Sequence, residues 1–182
     1  MTIRPSSLQE ELKQTRPFGT VQEEAVVVLL RTAALLKRSI AQQVERHGIS
    51  VAQYNVLRIL RGAGPEGLPT LEIAARMIEH NPGVTRLLDR FEARHLVRRA
   101  RCPEDRRQVL CHASEAARRL LAGLEGPMAD AGRRALAPLD PSRTAELVRL
   151  LDAVRASSAS PAAPPSNTKK KEQKKRKKET KI

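Results

Sequence analysis

Small, polar and basic residues follow one another in the middle of the chain in an order that suits contact with nucleic acid. Gly83 permits a close approach, and Thr85 and Arg86 can reach base edges. Asn81, at the start of a helix, can meet a phosphate, and Arg90 is predicted to anchor the phosphate backbone one turn further on. We therefore predict a helix that enters the major groove of duplex DNA, although any amphipathic helix also has polar residues on its outer face.

A cluster of arginines follows this helix. Five lie within ten residues: Arg98, Arg99, Arg101, Arg106 and Arg107. Residues 97–102 and 109–114 are β-compatible, which predicts a hairpin with a charged tip. Such a tip can insert arginine into a narrow minor groove, and Asp105 is expected to orient Arg106 or Arg107 through a charge-assisted contact. Arg101, Asp105, Arg106 and Arg107 are the predicted DNA-binding residues of this wing, and a solvated charged hairpin is the alternative.

Three short helices are predicted in this region, and the third of them is the groove-binding helix. Ser50 and Gln53 have capping-box spacing, which favours a helix through Arg61. Thr70 can cap a second helix that ends at Met77. Asn81 and Pro82 suit the N-cap and the first position of the third helix. Its apolar face, through Arg94, consists of Val84, Leu87, Leu88 and Phe91.

Longer helices are predicted on both sides of this region. Residues 21–47 form an amphipathic helix that Gly48 terminates, with an apolar face of Ala25, Val28, Leu29, Leu36, Ile40 and Val44. Ser114 can cap another helix, which Pro127 should kink. Asp140 and Pro141 begin the last helix, in which the residues predicted to point inward are Leu147, Val148, Leu151 and Val154.

The charge of the chain is unevenly distributed. The net charge is +14, and residues 169–182 contribute half of it, with nine basic and two acidic side chains. Because residues 157–182 consist mainly of Ala, Ser, Pro and Lys, we predict a disordered basic tail. Its basic run suits a nonspecific DNA arm, the interpretation that we favour, a nuclear-localisation-like segment or a solvated terminus. Residues 1–20 are predicted to be a partly disordered arm. Residues 21–156 are then enough for one folded domain.

Other chemistry is weakly supported. The segment Gly62–Gly67 matches GxGxxG, but a capped helix precedes it where a nucleotide site needs a strand. Cys102 and Cys111 are not expected to face each other in the hairpin, and His112 adds too few donors for a zinc site. We therefore predict no enzyme activity, cofactor or metal. The absence of a signal-peptide core or membrane-length apolar run predicts a cytoplasmic protein that does not contact a membrane.

From Val21 to Ala156 the sequence resembles the MarR family of winged helix-turn-helix regulators. The strongest matches are residues 84–97, residues 101–110 and residues 114–121. His95 stands where the family usually has glycine, and Ala117 replaces another glycine.

The resemblance implies a mainly α fold with an α/β wing. It implies a homodimer in which helices 21–47 and 114–156 form the dimerisation region. The DNA-binding lobe would span residues 50–113 and read half of a pseudo-palindromic site. It further implies a repressor that a small phenolic or aromatic acid releases from DNA, through residues that the sequence does not identify. The alternative is a nonspecific or architectural DNA-binding protein that depends on the basic tail.

Overall fold

The computed structural model describes residues 7–79, 82–105 and 107–159. Its elements, in chain order, are α1 (Ser7–Glu11), α2 (Val21–Glu45), α3 (Val51–Gly62), β1 (Leu68–Pro69), α4 (Thr70–Ala75), α5 (Val84–Ala93), β2 (Val97–Arg101), β3 (Val109–Ala113), α6 (Glu115–Ala135) and α7 (Pro141–Ala159). The fold is mainly α with a small antiparallel sheet, as predicted. The chain divides into two compact units, Met1–Ala135 and Leu136–Ile182.

The predicted caps of α3, α6 and α7 are present. The Gln53 backbone N–H donates to Ser50 Oγ (3.3 Å), and the Ser50 N–H donates to Gln53 Oε1 (2.8 Å), which completes the capping box of α3. The Ala117 N–H donates to Ser114 Oγ (3.1 Å) at the start of α6, and the Arg143 N–H donates to Asp140 Oδ1 (2.8 Å) at the start of α7. Each cap satisfies a backbone donor that the first helical turn leaves unpaired.

Replacing Ser50 with Ala is expected to lower the free energy of unfolding by about 1 kcal/mol, because the Gln53 N–H loses its acceptor. Urea unfolding at a fixed protein concentration measures the change. Ser142→Ala is the matched control, since Asp140 rather than Ser142 provides the cap of α7. If Ser50→Ala and Ser142→Ala have the same free energy of unfolding, the capping box contributes nothing to stability.

Two predicted helix starts are wrong. Thr70 is the first residue of α4 rather than its N-cap, and α4 ends at Ala75 instead of Met77. Helix α5 begins at Val84, so Pro82 lies in the preceding turn and not at the first helical position. Gly83 takes the N-cap position because its backbone is non-helical (φ −94°, ψ 16°) while its carbonyl accepts the Leu87 N–H at 3.0 Å. Asn81 lies outside the described residues.

The sheet contains one strand more than the predicted hairpin. β3 lies in the middle and pairs with both β1 and β2, with Leu68 and Arg99 each opposite Cys111. The turn before β1 requires Gly67, which has φ +68°. A Cβ at this position would lie 2.5 Å from His112 Cε1, so a larger residue would clash with the neighbouring strand.

The core lies where α3, α4, α5 and α6 meet the sheet. Its largest fully buried side chains include Leu57, Leu60, Ile73, Leu88, Phe91, Leu121 and Leu124. The predicted apolar face of α5 is therefore confirmed for Val84, Leu88 and Phe91, with Leu87 half-buried. This burial leaves only one face of α5 exposed to solvent.

The outer segments contain helical stretches that the sequence did not predict. The N-terminal arm contains helix α1, in which Leu8 is buried. α6 is helical on both sides of Pro127, and the kink there stays a prediction. α7 extends to Ala159, so residues 157–159 are helical. Residues 160–182 lie outside the described part of the chain.

The predicted apolar faces of the outer helices are only partly buried. In α2, Val44 is buried, whereas Val28, Leu29 and Leu36 are exposed. In α7, the prediction that Val148 and Val154 point inward is wrong, because about half of each side chain is exposed.

Candidate nucleic-acid interface

The exposed face of α5 has the predicted DNA-contacting residues. Thr85, Arg86 and Arg90 are all exposed, while the opposite face of the helix is buried in the core. Arg86 and Arg90 are one turn apart and therefore lie on the same stripe of the helix. Pro82 is exposed and Gly83 half-buried immediately before the first turn. The fold thus presents Thr85, Arg86 and Arg90 to solvent together.

The wing is the hairpin of β2 and β3. Arg101 at the end of β2 is exposed, as is Arg107 in the tip. Asp105 accepts a hydrogen bond from the Arg107 backbone N–H (3.0 Å) through Oδ1, while its carbonyl accepts the Gln108 N–H (2.9 Å). Asp105 therefore orders the turn through the backbone of Arg107, and among the described residues it does not contact the Arg107 guanidinium group, whereas the predicted contact with Arg106 stays a prediction. Arg106 lies outside the described residues.

Arg99 differs from the other wing arginines because it is engaged within the protein. Its Nη1 lies 2.7 Å from Asp89 Oδ1 and 3.1 Å from Glu92 Oε2, both on α5, and its side chain is only 24% exposed. Burial alone lowers the pKa of Arg99, but hydrogen bonds to Asp89 and Cys111 and the charge of Asp89 outweigh it and raise the pKa. The ion pairs connect the wing to α5, a contact that no local pattern in the sequence indicates.

Replacing Arg99 with Gln is expected to loosen the wing. The variant loses both ion pairs to α5, which partial exposure limits to about 1 kcal/mol of stability. Amide hydrogen exchange in β2 and β3 should speed up more than exchange in α3, which reports only the small loss of global stability. Arg98→Gln removes a neighbouring exposed arginine and serves as the control. Unchanged exchange in the hairpin of the Arg99 variant would show that the Arg99 ion pairs do not hold the wing against α5.

The turn that joins α5 to the wing has a histidine, His95, at its centre. His95 has φ +56°, the left-handed conformation in which glycine is most common. The Leu96 N–H donates to the Phe91 carbonyl and the His95 N–H to the Glu92 carbonyl, both at 2.9 Å. These two bonds form a Schellman motif, so the turn forms with histidine in place of glycine.

The two cysteines occupy different environments in the sheet. Cys111 is buried opposite Arg99, whereas Cys102 is half-buried, and its N–H donates to the Gln108 carbonyl. Both are free, and they do not face each other, as predicted. Across the described ranges, no three His, Cys, Asp or Glu side chains come together in a way that could hold a metal ion. None of the helices described is long and apolar enough to cross a membrane.

A cavity of about 950 Å³ lies between α2, α3 and the segment that precedes α5. Its walls are mainly apolar and include Ala33, Leu36, Ile40, Val51, Ala52 and Met77. Lys37 Nζ, on α2, lies 2.7 and 2.8 Å from the two carboxylate oxygens of Glu79. Asn55 is buried, and its Oδ1 accepts the Ile78 backbone N–H at 2.9 Å. The cavity is therefore bordered by a segment that leads towards α5.

These features define a winged helix-turn-helix protein: a helix with a buried face and a basic exposed face, followed by a basic hairpin in a three-stranded sheet. The MarR family model matches residues 49–109. A solved MarR transcription factor from Planctomyces limnophilus is 38% identical, with 74% of this chain and 98% of that chain covered and a TM-score of 0.57. The chain belongs to the MarR family of DNA-binding transcriptional regulators.

More distant structures share the fold. Sco3205 of Streptomyces coelicolor, solved in complex with DNA, is 24% identical, with 82% of this chain and 94% of that chain covered and a TM-score of 0.67. BpsR of Bordetella bronchiseptica, whose DNA binding is regulated by 6-hydroxynicotinic acid, is 22% identical, with 80% of this chain and 100% of that chain covered and a TM-score of 0.67. No curated protein matches the chain.

Proposed function

We propose that this regulator is a homodimeric repressor that reads a pseudo-palindromic duplex site and leaves it when a small aromatic or phenolic acid binds. The exposed stripe of Thr85, Arg86 and Arg90 on α5 is the observation that carries the proposal. In this proposal, α5 enters the major groove of the duplex. Thr85 and Arg86 then contact base edges, and Arg90 contacts the phosphate backbone of the DNA. The DNA phosphate backbone is also approached by the residues that precede α5, which are Asn81, Pro82 and Gly83.

The wing completes each half-site in this proposal. Arg107 at the tip and Arg101 at the end of β2 are exposed, which suits contact with the minor groove and its phosphates. Asp105 orders the turn that presents Arg107, and we propose that Arg106 also contributes to DNA binding. The ion pairs of Arg99 with α5 support a fixed spacing between the helix and the wing. Both elements would then contact one stretch of duplex together.

Dimerisation is supported by apolar side chains on the outer helices. α2 exposes Val21, Val26, Val28, Leu29, Leu30, Leu35 and Leu36, and α7 exposes Val148, Leu150 and Val154. Large exposed apolar surfaces mark interfaces more often than free surface. A two-fold dimer would place two lobes on successive major grooves, about 34 Å apart. Sedimentation equilibrium should therefore give a dimer, and Leu30→Glu should shift it towards monomer.

Release by an effector is supported by the cavity between α2, α3 and residues 77–79, and by the regulation of BpsR by 6-hydroxynicotinic acid. Because two lobes must match two grooves at once, a modest change in their spacing is enough to weaken binding.

Selection of bound sites from random duplex DNA tests the proposal. The full chain and a chain that ends at Ala159 should select the same two-fold symmetric motif. The shorter chain lacks nine basic side chains and should show a salt dependence of affinity that is smaller by several counterions. If removing residues 160–182 abolishes all selectivity, the architectural alternative is favoured instead. Failure of the full chain to select any motif would refute sequence-specific recognition.

A further inference from the structure

A second cavity lies at the base of the wing. Its volume is about 430 Å³, and its walls come from the β2–β3 pair, the start of α6 and the turn that follows α3. Arg98, which lines it, precedes Arg99 on β2, so the two side chains lie on opposite faces of the sheet. Because Arg99 contacts Asp89 on α5, Arg98 lies on the face of the sheet that is turned away from α5.

The charged side chains around this cavity are mainly basic. Arg98 and Arg118 contribute guanidinium groups, and Glu115 contributes the one carboxylate among the described residues that line it. Glu115 is already shared, because its oxygens lie 3.2 Å from Arg118 Nη1 and 3.7 Å from Arg119 Nη1. Arg98 forms no ion pair with any residue in the described ranges. The cavity therefore has a positive charge that no carboxylate in this part of the chain balances.

His112 forms a fixed wall beside Arg98. The two residues are directly opposite in the β2–β3 pair, which places Cβ atoms on one face about 5 Å apart. His112 Nδ1 donates to the Pro65 carbonyl at 3.1 Å, because a carbonyl oxygen only accepts. The ring also packs against Gly67, where a Cβ would lie 2.5 Å from its Cε1. The cavity is thus built against a strand pair and a ring that cannot easily move.

The walls identify the chemistry of a ligand. Guanidinium groups bind phosphate and carboxylate oxygens through two parallel hydrogen bonds. The polar walls offer little contact to an apolar body, and two guanidinium groups suit a group with more than one negative charge. A phosphate monoester carries about 1.5 to 2 negative charges at neutral pH, whereas a monocarboxylate carries one. Since small-molecule sites have volumes of about 300 to 1,000 Å³, this cavity has room for a phosphate and a small polar body.

We propose that this cavity binds the phosphate group of a small phosphate monoester between Arg98 and Arg118. Arg98 provides the charge that the protein leaves unbalanced, and Arg118 turns from Glu115 to the ligand. Their ion pair is exposed, so its loss costs little. A ligand held by β2 and α6 together fixes the base of the wing against α6. The DNA backbone carries the same chemical group, but the cavity lies on the face of the sheet opposite α5.

Titration of the full chain with inorganic phosphate, followed by NMR of the backbone amides at constant ionic strength, tests the site. The amide signals of Arg98, His112 and Glu115 should shift and reach saturation. Acetate should bind there about tenfold or more weakly, because it cannot make charge-assisted contacts with both arginines. The lysine-rich tail also attracts anions, so these local signals are the ones to follow. Absence of saturable shifts, or equal affinity for acetate, would overturn the proposal.

Glycerol 3-phosphate tests whether the site takes a monoester. It should bind at least as tightly as inorganic phosphate in the same titration, because the cavity is larger than the phosphate group. Binding about tenfold weaker than that of inorganic phosphate would refute the assignment to a monoester.

Arg98→Gln tests the role of the unbalanced charge. It should weaken phosphate binding by about tenfold or more, measured from the signals of His112 and Glu115, because one charge-assisted contact is lost. Arg119→Gln is the matched control, since Arg119 also pairs with Glu115 but does not line the cavity. It should change the affinity by about twofold or less. Equal losses in the two variants would show that phosphate responds only to overall charge, which contradicts the proposal.

DNA binding separates a free monoester from the DNA backbone as the source of the phosphate. The salt dependence of affinity for the selected duplex should be the same for Arg98→Gln and Arg119→Gln. A slope smaller by about one counterion for Arg98→Gln alone would show that Arg98 contacts a DNA phosphate, and would refute a small-molecule ligand. This comparison rests on the proposed function. If no duplex site is selected, the proposed function fails, but the titrations with phosphate still decide the site.

Discussion

Replacing Phe91 with Ala is expected to lower the free energy of unfolding by about 3 to 5 kcal/mol. Phe91 is fully buried on the inner face of α5, within the cluster that contains Leu57, Ile73 and Leu88. Removing the ring loses its apolar burial and leaves a cavity between helices that can collapse only partly. Many domains are stable by only about 5 to 15 kcal/mol, so the variant should be largely destabilised. Urea unfolding at a fixed protein concentration measures the change.

Leu71→Ala is the control for the Phe91 prediction. Leu71 is 83% exposed on α4, so its truncation should change stability by about 0.5 kcal/mol or less. A loss below about 1 kcal/mol in the Phe91 variant would show that α5 is not held by this core. DNA binding should fall together with stability, because the same side chain holds the basic face of α5 in position.

Replacing Arg86 with Ala is expected to lower affinity for the selected duplex by about 5- to 150-fold, which corresponds to about 1 to 3 kcal/mol. Arg86 is exposed in the first turn of α5, from which it can reach a base edge. The loss should be larger on the selected duplex than on a scrambled one, because base contacts carry the sequence information. Fluorescence anisotropy with both duplexes at one salt concentration measures the difference.

Arg134→Ala provides the matched control for charge. Arg134 is exposed near the end of α6. Its replacement removes the same charge from a surface that is not part of the proposed DNA-contacting surface. It should reduce binding slightly and equally on both duplexes. If Arg86→Ala also acts equally on both, Arg86 contacts only the phosphate backbone. Thr85→Ala should in addition relax base preference at one position of each half-site, and an unchanged selected motif would contradict this.

The two variants test opposite faces of one helix. Phe91 connects α5 to the core, and Arg86 lies on the face left open by that packing. The Arg99 pairs with Asp89 and Glu92 connect the same helix to the wing. Stability and recognition can therefore be separated by substitutions within a few residues of each other.

Local rules were enough to predict most elements. The Ser50 box, the Ser114 cap and the Asp140 cap each join residues three positions apart, so their spacing is visible in the sequence. The periodicity of α5 likewise predicts which of its faces is buried. The start of α5 was misplaced because Asn81 and Pro82 both favour an earlier helix start, whereas the non-helical backbone of Gly83 delays it to Val84.

The remaining features depend on contacts between distant segments. Strand β1 contains only two residues and exists because Leu68 pairs with Cys111, and no local pattern predicts that pairing. The role of Arg99 depends on the angle between β2 and α5, which brings Asp89 and Glu92 to one guanidinium group.

The sequence alone therefore determined most of the helices, the caps of α3, α6 and α7, and the basic residues available for DNA, because these follow from short-range spacing. The tertiary structure decided which arginines stay free, and it brought Lys37 to Glu79 beside a cavity, because side-chain partners 42 positions apart are set only by packing.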